Sequence, residues 1–255
     1  MGTLVTVPRP VRRVVSLVPS LTEALARSVS GLLVGATDWC THPPDLDVVR
    51  VRGTKNPNLG TIRELRPDLV LANKEENREL DVRRLRDSGI AVWVTVIETV
   101  PQGLASLERI FTAALGRPVP EWLITARALW GAPPQDPVVD VAIPIWRDPW
   151  MVVGSSTFTG DLVRRAGLRN VFAGHPQRYP HIDVDRIDGS GADVVLLPDE
   201  PYLFTAEDGP EAFAHTPTEL VNGRMLTWYG PSLIEAHQML RDLRRIHSGS
   251  IDRGI

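Results

Sequence analysis

Pro67-Asp-Leu-Val-Leu-Ala-Asn-Lys-Glu75 recurs in the second half of the chain as Ala192-Asp-Val-Val-Leu-Leu-Pro-Asp-Glu200. Each copy holds a short unbroken apolar run that ends in polar residues. Without alternation, such a run reads as a strand buried on both faces, as in a parallel sheet covered by helices. Each half also opens on an apolar strand, a proline-containing loop and a helix bearing a threonine, Thr22 or Thr159. The pairing implies an internal duplication.

Outward from these copies, short apolar strands alternate with helical periodicity, the pattern of β-α-β units. In the first half, strands are predicted at Arg13–Val18, Leu32–Thr37, Asp68–Ala72 and Ala91–Val96. Ser20-Leu-Thr-Glu23 and Thr61-Ile-Arg-Glu64 have the spacing of capping boxes that open helices. Helix Glu76–Asp87 follows, and Val100 to Trp130 is helical apart from a break at Gly116-Arg-Pro-Val-Pro120. Ala132-Pro-Pro-Gln-Asp-Pro137 marks a boundary. Beyond it come strands at Asp140–Trp146, Asp193–Leu197 and Met225–Trp228, and helices at Thr157–Ala166 and Ser232–His247. The expected fold is α/β: two similar α/β lobes bridged by a long helix, with a ligand cleft between them. The lobes are residues 1–98 and 138–255, and 99–137 is the linking helical segment.

Composition narrows the function. The chain has 255 residues, with 28 Lys and Arg against 31 Asp and Glu, for a net charge of −3. That balance gives no electrostatic reason to expect nucleic acid as a partner. The single cysteine, Cys40, excludes an internal disulfide. No apolar window is long enough to span a membrane. The N-terminus lacks the charged head, apolar run and cleavage site of a signal peptide, so the sequence as written reads as cytoplasmic. It reads as periplasmic or cell-surface if a signal has been trimmed away. No Gly-x-Ser-x-Gly, His-Glu-x-x-His, phosphate loop or dinucleotide fingerprint is present, so no catalytic residues are assigned and the chain is not read as an enzyme.

Seven tryptophans are the unusual feature. Trp93, Trp122 and Trp130 lie in a strand or on helices and read as core. The other four, with the three tyrosines, sit near proline in loops expected at strand ends: Asp38-Trp-Cys-Thr-His42, Trp146-Arg-Asp-Pro-Trp150, Arg178-Tyr-Pro-His181, Asp199-Glu-Pro-Tyr202 and Trp228-Tyr-Gly-Pro231. Aromatics on proline-stiffened loops form flat, rigid walls for a ligand. His42 could contact a chelated metal, but the chain has no second cysteine and no paired ligand spacing, so no metal site of its own is assigned. Arg147 and Arg178 could pair with ligand carboxylates or a phosphate, or could form surface salt bridges. Asn73, Arg147 and Tyr229 are candidates to orient the ligand. His237 and His247 on the last helix are expected to be solvated.

Several segments, in order, resemble the substrate-binding proteins with a helical backbone. These are the class III binding proteins of ABC transporters, or helical-backbone metal receptors, and the likeness is closest to the vitamin B12-binding branch. Val15-Ser-Leu-Val-Pro-Ser-Leu-Thr-Glu23 is similar to the first strand and helix start of the family. Val34-Gly-Ala-Thr-Asp-Trp-Cys-Thr-His-Pro-Pro44 is similar to its V-G-x-x-x-aromatic-x-x-x-P-P loop. Leu59 to Leu71 resembles its N-x-E-x-I-x-x-L-x-P-D-L-V segment, with Gly60 and Thr61 in place of the acidic stretch. Gly167-Leu-Arg-Asn-Val-Phe172 resembles its G-x-x-N-x-F turn.

The resemblance implies a protein that binds a metal chelate, most of all cobalamin or a related corrinoid, with no intrinsic cofactor. Ligand contacts are then expected at Trp39, His42, Asn73, Trp146, Arg147, Trp150, Tyr179, Tyr202, Trp228 and Tyr229. Trp39 would pack on the corrin, with Trp146 or Trp150 as its second-lobe counterpart. The partners implied are a small-molecule ligand and, if the chain is exported, an ABC permease docked through Glu79 in one lobe and Glu200 in the other. Glu75 and Glu76 lie near the first position, and Glu207 and Glu211 are further choices for the second. Two alternatives stand beside this reading: a ferric siderophore or haem on the same fold, and a cytosolic enzyme or assembly partner built on a recruited binding fold.

Overall fold

The computed structural model describes residues 4–134 and 136–251. The lobe limits at residues 1–3 and 252–255, and Gln135 of the proline-rich boundary, lie outside the described residues. Contacts divide the chain into two units. The first comprises the residues up to Ile97, Gln102–Ala126 and Tyr229–Pro231; the second comprises Glu98–Pro101, Arg127–Trp228 and the residues from Ser232 on. The segment 99–137, read as a link, is thus shared by both.

The first unit is built on a parallel five-stranded sheet, β3-β2-β1-β4-β5. Its strands are β1 (Val14–Ser16), β2 (Leu33–Ala36), β3 (Val49–Arg50), β4 (Leu69–Asn73) and β5 (Val92–Thr95). All five residues of β4 are buried, which is why its sequence shows no alternation. Helices α1 (Pro19–Val29), α2 (Leu59–Glu64) and α3 (Glu79–Asp87) connect the strands. Val15, Leu17, Ile62, Val70, Leu85 and Val92 form their shared core. Helix α4 (Val100–Arg109) runs on into a π-helical stretch, Ile110–Ala114, before α5 (Glu121–Trp130).

The second unit repeats the plan. Its strands are β6 (Val139–Ala142), the hairpin pair β7 (Pro144–Trp146) and β8 (Met151–Val152), β9 (Leu168–Asn170), β10 (Val194–Pro198) and β11 (Thr218–Val221). The parallel sheet has the order β11-β10-β6-β9. Read in reverse, β9-β6-β10-β11 matches β2-β1-β4-β5, and β10 takes the place of β4, as the repeated apolar run requires. Helices α6 (Phe158–Arg165), α7 (Val184–Asp188), α8 (Gly223–Thr227) and α9 (Ser232–Ile251) complete the unit. Both sheets reverse their strand order once, beside β1 and beside β6. In open α/β sheets, ligands sit at the strand carboxyl ends by such a reversal.

Three sequence expectations are corrected. Met225–Trp228 is not a strand: Asn222 caps α8 there by accepting the Met225 N–H (3.3 Å), and the edge strand is β11. Asp140–Trp146 is not one strand either. Pro144 lacks the N–H that a central strand needs, so the chain leaves the sheet after β6 and turns into the β7–β8 hairpin. Neither capping box forms. Helix α1 starts at Pro19 with no side-chain cap, which leaves Ser20 buried inside it, and α2 is capped by Asn58, whose Oδ1 accepts the Thr61 N–H (3.2 Å).

Candidate functional site

In the first unit, the carboxyl ends of β1, β4 and β5 are tied by amide side chains. Asn77 Oδ1 accepts the Asn73 N–H (2.8 Å), and its Nδ2 donates to Leu17 O (3.3 Å) and Thr54 O (3.0 Å). Asn73 Nδ2 donates to Thr95 Oγ1 (3.1 Å), and its Oδ1 accepts the Glu75 N–H (2.7 Å). Asn73 is buried and both ends of its amide are engaged. It holds loops in place and is not offered to a ligand. Tyr229 is also buried, with its hydroxyl beside those of Ser20 and Thr95. Burial, with the charge of Glu76, pushes that phenol well above its ordinary range.

The loop after β2 is different. Arg50 donates to Thr37 O (3.0 Å), Cys40 O (2.9 Å) and Leu46 O (3.2 Å), which fastens residues 37–46. Cys40 is buried under the loop, its Sγ 3.1 Å from both Thr22 and Thr37 hydroxyls, and burial pushes its thiol up. On this fixed base Trp39 stands 65% exposed. A large exposed aromatic is costly in water and informative for that reason. Gly53 leaves room for Asn56 as well as for the indole: a Cβ there would lie 2.5 Å from Asn56 Oδ1 and 3.3 Å from the indole nitrogen. His42, half-buried, has its Nδ1 3.1 Å from Thr41 Oγ1.

In the second unit, the loops leaving β6 and β10 at the sheet reversal meet in an aromatic cluster. Trp150 stacks on Phe204 (centroids 5.7 Å apart) and meets the edge of Phe213 (5.4 Å), with the Arg147 guanidinium 5.5 Å over its ring. Tyr202 lies against Phe204 (4.7 Å) and takes Trp146 edge-on (5.7 Å). Trp150 is therefore a member of the cluster, while Trp146, 43% exposed, is the ring that the cluster presents.

Tyr179 lies in a segment clamped to the β8 end: Gly154 N–H donates to Arg178 O (2.7 Å), and Val152 N–H to Pro180 O (3.1 Å). A Cβ on Gly154 would come within 2.2 Å of Gln177 O. Gly154→Ala must push this segment away, at about 2 kcal/mol of stability. A denaturant melt of the variant checks this, and an unchanged midpoint would contradict the close approach.

Trp228 and Glu200 do not take the places expected of them. Trp228 is buried. Its indole, with Thr227 Oγ1 (3.1 Å), hydrogen-bonds the half-buried Glu200 carboxylate, and burial raises that carboxyl above its ordinary value. Glu200 is spent inside the unit, held by partners too distant in sequence to be read from it. Glu79 is exposed at the first turn of α3. His247 Nε2 lies 2.7 Å from Glu219 and His237 packs edge-on against Trp130 (5.2 Å), so neither is simply solvated. Among the described residues, no three His, Cys, Asp or Glu side chains gather as a metal site.

No family model matches the chain. The vitamin B12-binding protein of Pectobacterium carotovorum subsp. carotovorum is 23% identical over 250 residues, which cover 94% of this chain and 91% of that protein. The crystal structure of the periplasmic vitamin B12-binding protein of Vibrio cholerae superimposes with a TM-score of 0.76, at 18% identity, over 94% of this chain and 99% of that one. The chain shares the α/β fold of that binding protein. A periplasmic haem-binding protein of Roseiflexus sp. RS-1 shares it, with a TM-score of 0.74 at 20% identity over 94% of this chain and 98% of that one. The sequence likeness runs to proteins named as vitamin B12-binding proteins. Both solved proteins are periplasmic, and this does not support the cytoplasmic expectation. No helix among the described residues is long and apolar enough to cross a membrane.

Proposed function

We propose that this chain is a substrate-binding protein that holds a metal chelate, most of all cobalamin or a related corrinoid, and hands it to an ABC permease outside the cytoplasm. The observation that carries the reading is Trp146, left exposed on a prebuilt aromatic cluster at the strand reversal of the second sheet. A rigid apolar ring fixed before binding loses little entropy on contact with a flat macrocycle. Trp39 is the matching ring of the first unit. Tyr179 and Tyr202 flank the second-unit surface, while Asn73, Trp150, Trp228 and Tyr229 act by holding loops. The relatives named for vitamin B12 support the ligand class.

Glu79 is the docking residue we assign to the first unit. In the second unit the exposed Glu207 is a better choice than Glu200, whose carboxylate is engaged internally. Haem is the second reading, favoured by the Roseiflexus neighbour.

The test is a tryptophan-fluorescence titration with cobalamin, cobinamide, haem and a ferric siderophore, corrected for light absorbed by the ligand. Saturable quenching by a corrinoid at about micromolar concentration or below supports the proposal. Saturation by haem alone selects the second reading, and no saturation by any of the four overturns both.

A further inference from the structure

Arg147 and Arg178 are the two arginines that could pair with carboxylates on a ligand, and the protein's own carboxylates hold both. Arg178 Nη1 donates to Glu98 Oε1 (2.6 Å). Arg147 Nη1 donates to Glu211 Oε1 (2.5 Å) and to Asp208 Oδ1, and its Nε lies 3.9 Å from Asp148 Oδ2. Around Arg147 there are thus three carboxylates to one guanidinium. Exposure sharpens the imbalance. The Arg147 side chain is 23% exposed, against 88% for Asp148, 42% for Asp208 and 48% for Glu211. The cation lies inward and the anions face solvent beside Trp146.

The acids are fixed as well as exposed. Tyr202, the residue that props Trp146, donates its hydroxyl to Asp208 Oδ2 (2.7 Å). Glu211 Oε2 accepts the Gly209 N–H (2.5 Å), and the Arg147 hydrogen bond holds its carboxyl below the ordinary range, so it stays ionised at neutral pH. The ring that meets the ligand and the acids that rim it belong to one network.

Resting on the corrinoid reading, we infer that Asp148, Asp208 and Glu211 make this surface a charge filter. It admits neutral or cationic chelates and rejects those that bring carboxylates to the Trp146 ring. Haem propionates and carboxylate-rich ferric siderophores fall in the rejected class. The arrangement is the repulsive half of specificity: like charge set against the wrong ligand, and not only contacts made to the right one.

The experiment compares cyanocobalamin with its monocarboxylic acid, in which one side-chain amide is hydrolysed. The two share a corrin and differ by one negative charge. In the parent protein at pH 7 and low salt, the acid binds about tenfold more weakly. The ratio shrinks in about 0.5 M salt, where screening shortens the reach of the rim. In Asp208→Asn/Glu211→Gln only Asp148 is left to balance the Arg147 guanidinium, the excess negative charge is gone, and the ratio falls to about one. Asp148→Asn, at a side chain that supports no packing, lowers the ratio by itself and serves if the double variant folds poorly. A parent ratio near one overturns the inference, as does a large ratio that the charge variants leave unchanged. Failure of the parent to bind either compound overturns instead the corrinoid reading on which it rests.

Discussion

Trp146→Ala weakens corrinoid binding by about thirtyfold or more while leaving the fold intact. Truncating a central aromatic anchor in an interface costs about 2 kcal/mol or more, and tenfold in affinity corresponds to about 1.4 kcal/mol. Trp146 has the marks of such an anchor: it is 43% exposed, fixed edge-on by Tyr202, and carried on the hairpin that leaves the sheet at its reversal. Because so much of the ring already faces water, its loss should change stability by less than about 1 kcal/mol. Trp150→Ala gives the opposite signature. That ring packs on Phe204 and Phe213, so its removal opens the cluster and costs stability first, by about 3 kcal/mol. Calorimetric titration beside a denaturant melt separates the two variants. Equal losses of affinity without any loss of stability at Trp150 would place the binding surface elsewhere on the hairpin.

The largest effect on stability from a single charge is expected at Asp161 on α6. Its buried carboxylate accepts the N–H of Val100, the first residue of α4 (2.9 Å), and pairs with Arg164 (2.7 Å) and Arg165 (2.8 Å). Asp161→Ala leaves the Val100 N–H without an acceptor and the poorly exposed Arg165 without its carboxylate partner, at about 3 kcal/mol. Burial pushes the Asp161 carboxyl up, but the hydrogen bonds from Arg165, Val100 and Arg164 outweigh it and hold the carboxyl below its ordinary value. The folded state thus binds this proton less readily than the unfolded chain. The stabilisation is complete above the ordinary carboxylate range, near pH 4, and is lost as pH falls through the lower folded value. Asp188 adds to the same acid limb: burial raises its carboxyl, and the N–H groups of Thr216, Ala214 and His215 lower it by more. Urea melts from pH 7 to pH 2 check the sign, with Asp161→Asn showing a shallower acid limb than the parent. Identical acid limbs would remove Asp161 from the account.

The fold was legible in the sequence wherever burial leaves a strong apolar signature. The runs at β4 and β10 are buried on both faces, so their sequences declare both the strands and the duplication. The edge strands were not legible. Val49–Arg50 is two residues long and exposed, and Thr218–Val221 is half polar, so neither carries the pattern of a buried strand. Ser20 and Thr61 have capping-box spacing, but Pro19 starts α1 one residue earlier and Asn58 reaches α2 first. Local spacing could not rank these competitors.

The site was legible as a set of loops and not as a set of roles. Trp39 was picked out by residue type in a loop near proline, and Trp146 came with the resemblance as one of two choices beside Trp150. The same rule also chose Trp228 and Tyr229, which are buried, because it is blind to long-range packing. Arg147 and Arg178 were visible as cations, but their partners Glu211, Asp208 and Glu98 lie 64, 61 and 80 residues away. Asn77, Thr95, Arg50 and Gly53, which brace the first-unit loops, have no spacing that distinguishes them from ordinary polar positions.

Isothermal titration of the purified protein with cobalamin tests the central claim most directly. The account predicts one-to-one saturation at about micromolar affinity or tighter, abolished or strongly weakened by Trp146→Ala and Trp39→Ala together. Absence of saturable heat, or binding that survives the loss of both rings, would contradict it.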